Sequence, residues 1–188
     1  MSPSPTSSYV VRPAARADLP AVARLAAELV RYHHSLDPKR YLLVEPIEDG
    51  YARFLASELK NPHAVVLAAE DTRTREIVGY AYGRLEPRDW NMLLEAHGAL
   101  HDVLVAQRAR RTGLGDRLVR AMCTRLEELG APRVILHTAV QNEGAQALFE
   151  RAGFRKTMIE MTRDKRDRDE REEVDPRNPR EEPRREGS

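Results

Sequence analysis

The chain has little cysteine and no long apolar run, and both absences limit what it can be. Its single cysteine, Cys123, cannot form an intrachain disulfide or supply a cysteine-rich metal site. Cys123 falls in an apolar pattern of helical spacing, which favours a buried structural thiol over a reactive one. No stretch approaches the roughly 18 apolar residues of a membrane-spanning helix, and the N-terminus lacks the basic start and apolar run of a signal peptide. We therefore expect a cytoplasmic protein without a membrane partner.

Net charge is also nearly absent, at +1 for the whole chain. Much of the charge lies in residues 164–188, which contain eight Lys/Arg, ten Asp/Glu and one aliphatic residue, Val174. A segment so poor in apolar residues cannot offset the entropy of ordering, so we expect a disordered charged tail. The 23 basic and 20 acidic residues that remain nearly cancel, which gives no support for nucleic acid binding.

The length of 188 residues suits one domain with a full core. Ser/Pro-rich residues 1–8 are expected to be flexible, and residues 9–163 to form the domain. Apolar periodicity predicts strands at 9–12, 64–69, 77–83, 100–105, 134–139 and 154–162. It predicts helices from the Asp18 cap to about 33–38, at 47–60, 114–129 and 142–151, and a brief one near 88–94.

The order of these elements predicts an α/β fold. The strands at 64–69 and 77–83 form a hairpin, and the strand, helix, strand order of residues 100–139 favours a parallel pair with a right-handed crossover. Joined together, they give a mixed, mostly antiparallel twisted sheet with a central parallel strand pair and helices on both faces.

A glycine-containing turn leads into the predicted helix at 114–129. Its six residues are Arg110, Arg111, Thr112, Gly113, Leu114 and Gly115. Glycine lets the backbone approach an anion closely, and N–H groups at a helix start bind phosphate oxygens. The turn is not the nucleotide P-loop, and it is not the dinucleotide fingerprint, because Leu118 stands in the place of the third glycine. Gly-x-Gly before a helix also occurs as plain turn chemistry, so the motif alone leaves both interpretations open.

The surroundings of this turn resemble the Gcn5-related N-acetyltransferase (GNAT) family over residues 9–163. The resemblance consists of the strand at 103–105, the turn, a helix, a strand, and then Asn142-x-x-Ala145-x-x-Leu148-Phe149-x-x-x-Gly153-Phe154. It implies a GNAT-like acyl-CoA N-acyltransferase fold with acetyl-CoA as the acetyl donor.

The resemblance also implies roles for particular residues. The backbone of Val103, Leu104 and Val105 would pair with the pantetheine arm of coenzyme A, and the amides of residues 111–115 would hold its pyrophosphate. Asn142 would hydrogen-bond near the pantetheine, with Ala145 and Phe149 packed along the cofactor. Asn142 equally fits a helix N-cap, and both roles can coexist.

Two features depart from the family pattern. GNAT enzymes often have tyrosine in the place of Phe149, where its hydroxyl can protonate the departing thiolate. Phenylalanine cannot, although a thiolate whose conjugate acid has a pKa near 8.5 leaves tolerably without help. Only one strand is predicted after Phe154, where the family usually makes two. A partner chain could complete the sheet, so a homodimer is a hypothesis.

Our candidate for the general base is His101, because an imidazole titrates near neutrality. Arylalkylamine acetyltransferases, a GNAT branch, resemble this segment in having a histidine at this position. Strand alternation predicts that His101 shares a face with Val103 and Val105 while Asp102 points the other way. The alternative is a strand histidine hydrogen-bonded to a neighbour.

Candidate acceptor-binding residues lie in two places. His33, His34 and Asp37 follow the first helix, where GNAT folds usually shape the acceptor pocket. A surface turn is the alternative interpretation, and we predict no metal because their spacing is only loosely that of metal ligands. Tyr80 and Tyr82 share one face of the hairpin, and either could replace the missing phenol.

The sequence therefore predicts an N-acetyltransferase that moves an acetyl group from acetyl-CoA to a primary amine of a small molecule by direct transfer. The alternatives are a non-catalytic acyl-CoA-binding regulatory module, an acetyltransferase acting on a protein amine, and an interaction protein whose charged tail is the working part.

Overall fold

The structure is a computed structural model, and it describes residues 8–165 of the chain. The expectations for a flexible N-terminus and for most of the charged tail fall on residues outside this range. The chain divides into two units, residues 1–155 and 156–188. The described part of the second unit, residues 156–165, contains neither helix nor strand.

The described part of the first unit contains five strands and four α-helices, with two 3-10 turns of three residues each. The strands are β1 Tyr9–Pro13, β2 Ala64–Asp71, β3 Ile77–Glu86, β4 His97–Val105 and β5 Val134–Leu136. The helices are α1 Leu19–Leu36, α2 Ile47–Glu58, α3 Leu114–Glu128 and α4 Glu143–Arg151. Their order along the chain is the predicted one, and none of the helices in residues 8–165 has the length and apolar composition to cross a membrane.

The five strands form one sheet in the order β1-β2-β3-β4-β5. Pairing is antiparallel from β1 to β4, and β4 and β5 are parallel, with α3 in the crossover that such a pair requires. The predicted mixed, mostly antiparallel sheet is thus confirmed. The parallel pair lies at one end of the sheet rather than at its centre, because no strand follows β5 in residues 8–165.

Two consecutive residues of β3 show which helices cover each face. The ring of Tyr82 meets the ring of Phe54 on α2, with centroids 5.3 Å apart. A Cβ added to Gly83 would lie 2.8 Å from Sδ of Met122 on α3. Consecutive strand residues point to opposite faces, so α2 and α3 cover opposite faces of the sheet. We call these the α2 face and the α3 face.

The remaining two helices extend these layers. Arg31 of α1 forms an ion pair of 2.9 Å with Glu48 of α2. Arg120 of α3 donates to the carbonyl oxygen of Arg151 in α4 at 2.9 Å. Helices therefore lie on both faces of the sheet, as the sequence predicted.

The helix predicted near residues 88–94 is wrong. The backbones of Asp89 and Leu94 exchange hydrogen bonds of 2.9 Å, which close a turn between β3 and β4. The Asp89 carboxylate accepts from the amide of Asn91 at 2.8 Å, a local bond that favours turns over helices.

The strand predicted at 154–162 is also wrong, since the chain there has neither strand nor helix. Met158, Ile159 and Met161 are 63%, 85% and 90% exposed. The apolar residues do not alternate: Met158 and Ile159 are adjacent, so each face of a strand here would mix apolar with polar residues. A strand here would therefore have no apolar face to bury. The homodimer, in which a partner chain would complete the sheet, stays a prediction.

Candidate active site

The turn between β4 and α3 ends in an open helix N-terminus. Gly113 precedes α3 with a φ of +81°, and Arg111 has a φ of +63°. No side chain caps α3, and the Thr112 hydroxyl donates to the carbonyl oxygen of Ala109 at 2.8 Å instead. The first N–H groups of a helix have no intrahelical partner, so the start of α3 presents them to a ligand.

Arg110 fixes this turn to the end of β4. Its Nε donates to the carbonyl oxygen of Val105 at 2.9 Å, and its guanidinium lies 3.5 Å from Glu28 of α1. Arg111, Thr112 and Gly113 are exposed. The turn is thus held from one side and open on the other, with positive charge beside the free amides.

The backbone of β4 is open beside the turn. β5 pairs with β4 only at Gly98, Ala99 and Leu100, and it ends at Leu136, three residues earlier than predicted. Residues 101–105 therefore continue without a strand on that side in the described chain. The candidate residues Val103, Leu104 and Val105 all lie in this open stretch, as a site for an extended ligand arm requires.

The three candidates at α4 have separate positions. Asn142 caps the helix, since its Oδ1 accepts from the amide of Ala145 at 3.2 Å. Phe149 is buried and meets the ring of Phe154 edge-on at 6.0 Å. A Cβ atom added to Gly115 would lie 3.3 Å from the side chain of Leu148, so α4 packs against the start of α3.

A β-bulge in β4 brings His101 and Asp102 to one face. Tyr82 pairs with Asp102 but the next residue, Gly83, pairs with Leu100, so His101 is the extra residue. His101 stacks on Tyr82 with ring centroids 5.3 Å apart, and Asp102 accepts a hydrogen bond of 3.2 Å from Tyr80. Both side chains therefore lie on the α2 face.

Two predictions from strand alternation are corrected by this bulge. Asp102 does not point away from His101, and His101 does not share a face with Val103 and Val105. Val105 lies 3.9 Å from the position of a Cβ on Gly115, which places it on the α3 face. Because His101 is an extra residue, the side chains of residues 101 and 102 point to the same face, whereas neighbouring side chains of a regular strand point to opposite faces.

Glu86 holds His101 from β3. The Nε2 of His101 lies 3.2 Å from Oε1 of Glu86, and both side chains are partly exposed. With an ionised carboxylate as its partner, Nε2 is the donor of this bond, which leaves Nδ1 as the accepting atom of a neutral ring; no residue among 8–165 hydrogen-bonds to Nδ1. The pair thus holds a ring nitrogen able to accept a proton.

Asp102 lies among tyrosine hydroxyls. Tyr80 donates to Oδ2 of Asp102, and Tyr51 of α2 adds a further hydroxyl beside the same carboxylate. Burial raises the pKa of Asp102, and the hydrogen bond from Tyr80 offsets only part of this effect. Tyr80 is fully buried, so it can act on a ligand only through Asp102.

Tyr82 connects the site to α2. Its hydroxyl donates to Oε2 of the buried Glu58 at 2.6 Å, while its ring supports His101. Burial and then the bond to Glu58 raise the pKa of Tyr82. Burial likewise raises the pKa of Tyr80, and both phenols are therefore weaker acids than free tyrosine.

Two clefts meet at the His101–Glu86 pair. The first cleft, of about 550 Å³, is lined by Glu86, Pro87, Arg88, Asp89, Trp90, Asn91, His97, Ala99, Leu100, His101, Ile135 and His137. The second cleft, of about 350 Å³, is lined by Tyr51, Phe54, Tyr82, Arg84, Glu86, His101 and Asp102. His101 and Glu86 line both clefts, so a molecule in either cleft would lie beside this pair.

His33 and His34 lie in the last turn of α1 and Asp37 follows its end; all three make local contacts and line neither of these clefts. The ring of His33 stacks on that of Tyr41 at 5.0 Å, and Nδ1 of His34 lies 2.8 Å from the Tyr41 carbonyl oxygen. The Asp37 carboxylate accepts from the amides of Lys39 and Arg40 at 3.1 Å. These contacts are those of the surface turn that was the alternative interpretation.

Sequence reasoning missed Glu86, Asp102 and Tyr51 as site residues. Glu86 follows Tyr80 and Tyr82 at even spacing, so a longer predicted β3 would have put it on their face. Nothing in the sequence distinguishes Tyr51 from a packing residue of α2, and no sequence signal marks the bulge that turns Asp102 toward it.

Comparison with known proteins agrees with this geometry. A model of the acetyltransferase (GNAT) family matches residues 27–154. The chain is 30% identical over 105 residues to a D-amino-acid N-acetyltransferase of Saccharomyces cerevisiae, which covers 56% of this chain and 62% of that enzyme. It is 34% identical over 89 residues to a mycothiol acetyltransferase of Corynebacterium diphtheriae, which covers 47% of this chain and 28% of that one. The matches thus span less than two thirds of both relatives.

The fold is also found among solved structures. An aminoglycoside antibiotic 6'-N-acetyltransferase from Acinetobacter haemolyticus aligns with a TM-score of 0.65 over 84% of this chain and 98% of its own, at 17% identity. At that identity the likeness shows a common fold and nothing finer.

Proposed function

We propose that this chain, which belongs to the acetyltransferase (GNAT) family, is an N-acetyltransferase that moves an acetyl group from acetyl-CoA directly to a primary amine of a small molecule. The observation that carries the proposal is the His101–Glu86 pair, which stands in the common wall of two clefts. The names of the two curated relatives, a D-amino-acid and a mycothiol acetyltransferase, support acetyl transfer to a small molecule.

The chain has groups that suit coenzyme A. The uncapped start of α3 offers N–H groups for a pyrophosphate, and Arg110 and Arg111 add positive charge beside them. The open edge of β4 at residues 101–105 offers backbone groups to the amides of an extended arm, apart from the Val105 carbonyl oxygen, which accepts from Arg110. Acetyl-CoA supplies the acetyl group as a thioester.

His101 takes the proton that the amine must lose. In the neutral ring Nδ1 is the accepting atom, and Glu86 stabilises the imidazolium that forms through its bond to Nε2. The new bond joins the amine nitrogen to the acetyl carbon, the bond from that carbon to sulfur breaks, and the sulfur leaves with the electron pair. His101 then returns its proton to water.

Water is the proton donor to the departing sulfur in this proposal. Phe149 has no hydroxyl, and the hydroxyls of Tyr80 and Tyr82 are hydrogen-bonded to Asp102 and Glu58. The raised pKa values of both tyrosines make them poor donors. A thiolate needs little help to leave, since a free thiol has a pKa near 8.5.

The experiment is thiol release from acetyl-CoA over a panel of amines, with His101→Ala as the decisive variant. Loss of a general base lowers kcat/KM by about 10²–10⁴-fold, while acetyl-CoA binding should stay near normal because no backbone group changes. His63→Ala is the matched control, since His63 is exposed and lies outside both clefts. Turnover by His101→Ala equal to that of the control would remove His101 from the mechanism.

Phe149 favours a second candidate, a non-catalytic acyl-CoA-binding regulatory module. A buried phenylalanine lies where GNAT enzymes often have a tyrosine, so a common proton donor is missing. Equilibrium binding of acetyl-CoA without thiol release over the whole amine panel would support this module and reject the enzyme.

A further inference from the structure

We propose that the second cleft binds a cationic group of the acceptor through Asp102, so that the preferred acceptor is a small diamine or polyamine. One amino group would react at His101 while another, still protonated, would lie against Asp102. This inference rests on the proposed function, because it names the class of molecule that the same site accepts.

The first reason is the environment of the Asp102 carboxylate. Its hydrogen-bond partners are hydroxyls of tyrosine, which carry no charge, and the positive group that acts on it is the neighbouring His101, whose Nε2 is bonded to Glu86. In residues 8–165, no lysine or arginine forms an ion pair with it. A partly buried carboxylate without a cation is costly to ionise, and an ammonium group in the cleft would lower that cost.

The second reason is the aromatic wall beside this carboxylate. Tyr51, Phe54 and Tyr82 form a row in which neighbouring rings meet edge-on, at 6.3 Å and 5.3 Å. Ring faces attract cations, and they also pack well against the methylene groups between two amines. Phe54 is 44% exposed, so part of this wall is accessible from solvent.

The third reason concerns the one arginine in the second cleft. Arg84 lies 3.4 Å from Oε2 of Glu86, so its charge already faces a carboxylate. An acceptor carrying a carboxylate would have to compete with Glu86 for Arg84 and would also meet Asp102. Arg84 and His101 both face Glu86, so Asp102 is the carboxylate of this cleft that has no ion pair among residues 8–165, which favours a cation over an anion.

The bulge makes the two amino groups geometrically compatible. His101 and Asp102 are adjacent residues on the same face, and both line the second cleft. A short carbon chain can therefore join a group at the base to a group at the carboxylate.

The test compares diaminobutane, butylamine and aminobutyrate, which share a four-carbon chain and differ in the far end. Binding to the full chain in the presence of coenzyme A is measured by calorimetry, and thiol release from acetyl-CoA is measured separately. We expect diaminobutane to bind at least about tenfold more tightly than butylamine, as a hydrogen bond to a charged group typically gives. Aminobutyrate should bind least well.

Asp102→Asn should bring the diamine and monoamine affinities within about twofold of each other. Asp49→Asn is the control, since it removes the same charge from an exposed position of α2 outside both clefts and should leave the ratio unchanged. Equal affinities for diaminobutane and butylamine in the unmodified protein would overturn the inference without any variant. Preference for aminobutyrate would overturn it in favour of a carboxylate acceptor.

The two readouts separate this inference from the proposed function. Thiol release that is equally fast with butylamine and diaminobutane would support the acetyltransferase and reject the diamine. Selective diamine binding that depends on Asp102, with no thiol release for any amine, would support the cation site and reject the enzyme.

Discussion

Asn142 caps a helix and is proposed to bind the cofactor, and one substitution can separate the two roles. Its Oδ1 caps α4 by accepting from the Ala145 amide at 3.2 Å. Its Nδ2 has no hydrogen-bond partner among residues 8–165, so two donors remain for a ligand beside the start of this helix. Aspartate keeps the accepting oxygen and loses both donors, whereas alanine loses everything.

The magnitudes follow from these contacts. Loss of an N-cap side chain costs about 1 kcal/mol, which for a domain of this size lowers the melting temperature by roughly 2–4 °C. Asn142→Ala should show this loss. Asn142→Asp should melt within about 1 °C of the unmodified protein, since aspartate caps well and its charge suits a helix N-terminus. If Nδ2 binds the cofactor, both variants lose one hydrogen bond, so the Kd for acetyl-CoA should rise roughly 2- to 12-fold.

Thermal unfolding and calorimetric titration with acetyl-CoA measure the two effects independently. Equal destabilisation by alanine and aspartate would refute the capping argument. Normal acetyl-CoA binding by Asn142→Asp would show that Asn142 is a cap alone, and the role implied by the family resemblance would not apply to this chain.

Three further substitutions test other parts of the site. Gly113→Val should weaken acetyl-CoA binding by more than tenfold, since it strains a backbone with a φ of +81°. Gly130→Val is the control, because it carries the same strain at a φ of +95° away from the turn and should bind acetyl-CoA normally. Equal Kd values for the two variants would contradict the turn assignment. Phe149→Tyr should change kcat by less than about tenfold, because a thiolate leaves readily, and a larger rise would show that proton donation limits the native enzyme. Asp102→Asn should alter the pH dependence of stability. Burial raises the pKa of Asp102, so its stabilising contribution is complete below about pH 4 and is lost as the pH rises through the raised pKa. The melting temperature of Asp102→Asn should therefore rise relative to that of the unmodified protein between pH 4 and pH 8. Parallel plots of melting temperature against pH for the two proteins would contradict this.

The sheet and its helices could be predicted because their signals are local. The apolar stripe of α1 recurs at helical spacing, and Leu19, Val22 and Leu29 are buried as expected. Gly153 ends α4 with a φ of +98°, as a glycine after a helix predicts. The glycine turn and the motif at α4 are short, contiguous patterns, and both lie where the element order puts them.

The acceptor side could not be predicted because it depends on contacts between distant segments. Glu86 and His101 come from different strands, and Tyr51 comes from a helix that packs over both. Their meeting requires the register of β3 against β4, and the sequence of neither strand contains that register. His33 and His34 are the opposite case: they are conspicuous in the sequence, their contacts in the structure are local ones around Tyr41, and their part in acceptor binding stays a prediction.

The bulge in β4 would allow His101, the proposed base, and Asp102, the proposed cation-binding carboxylate, to act on one molecule. In a regular strand adjacent residues point to opposite faces, so a histidine and the aspartate after it could never line the same cleft. Beyond the bulge the alternation resumes, and Val105 returns to the α3 face against the start of α3. Without this extra residue, either His101 and Asp102 would not share the α2 face, or Val103 and Val105 would leave the α3 face. One extra residue therefore serves both halves of the site: the face that would hold coenzyme A stays apolar, and the face that would hold the acceptor keeps His101 and Asp102 together.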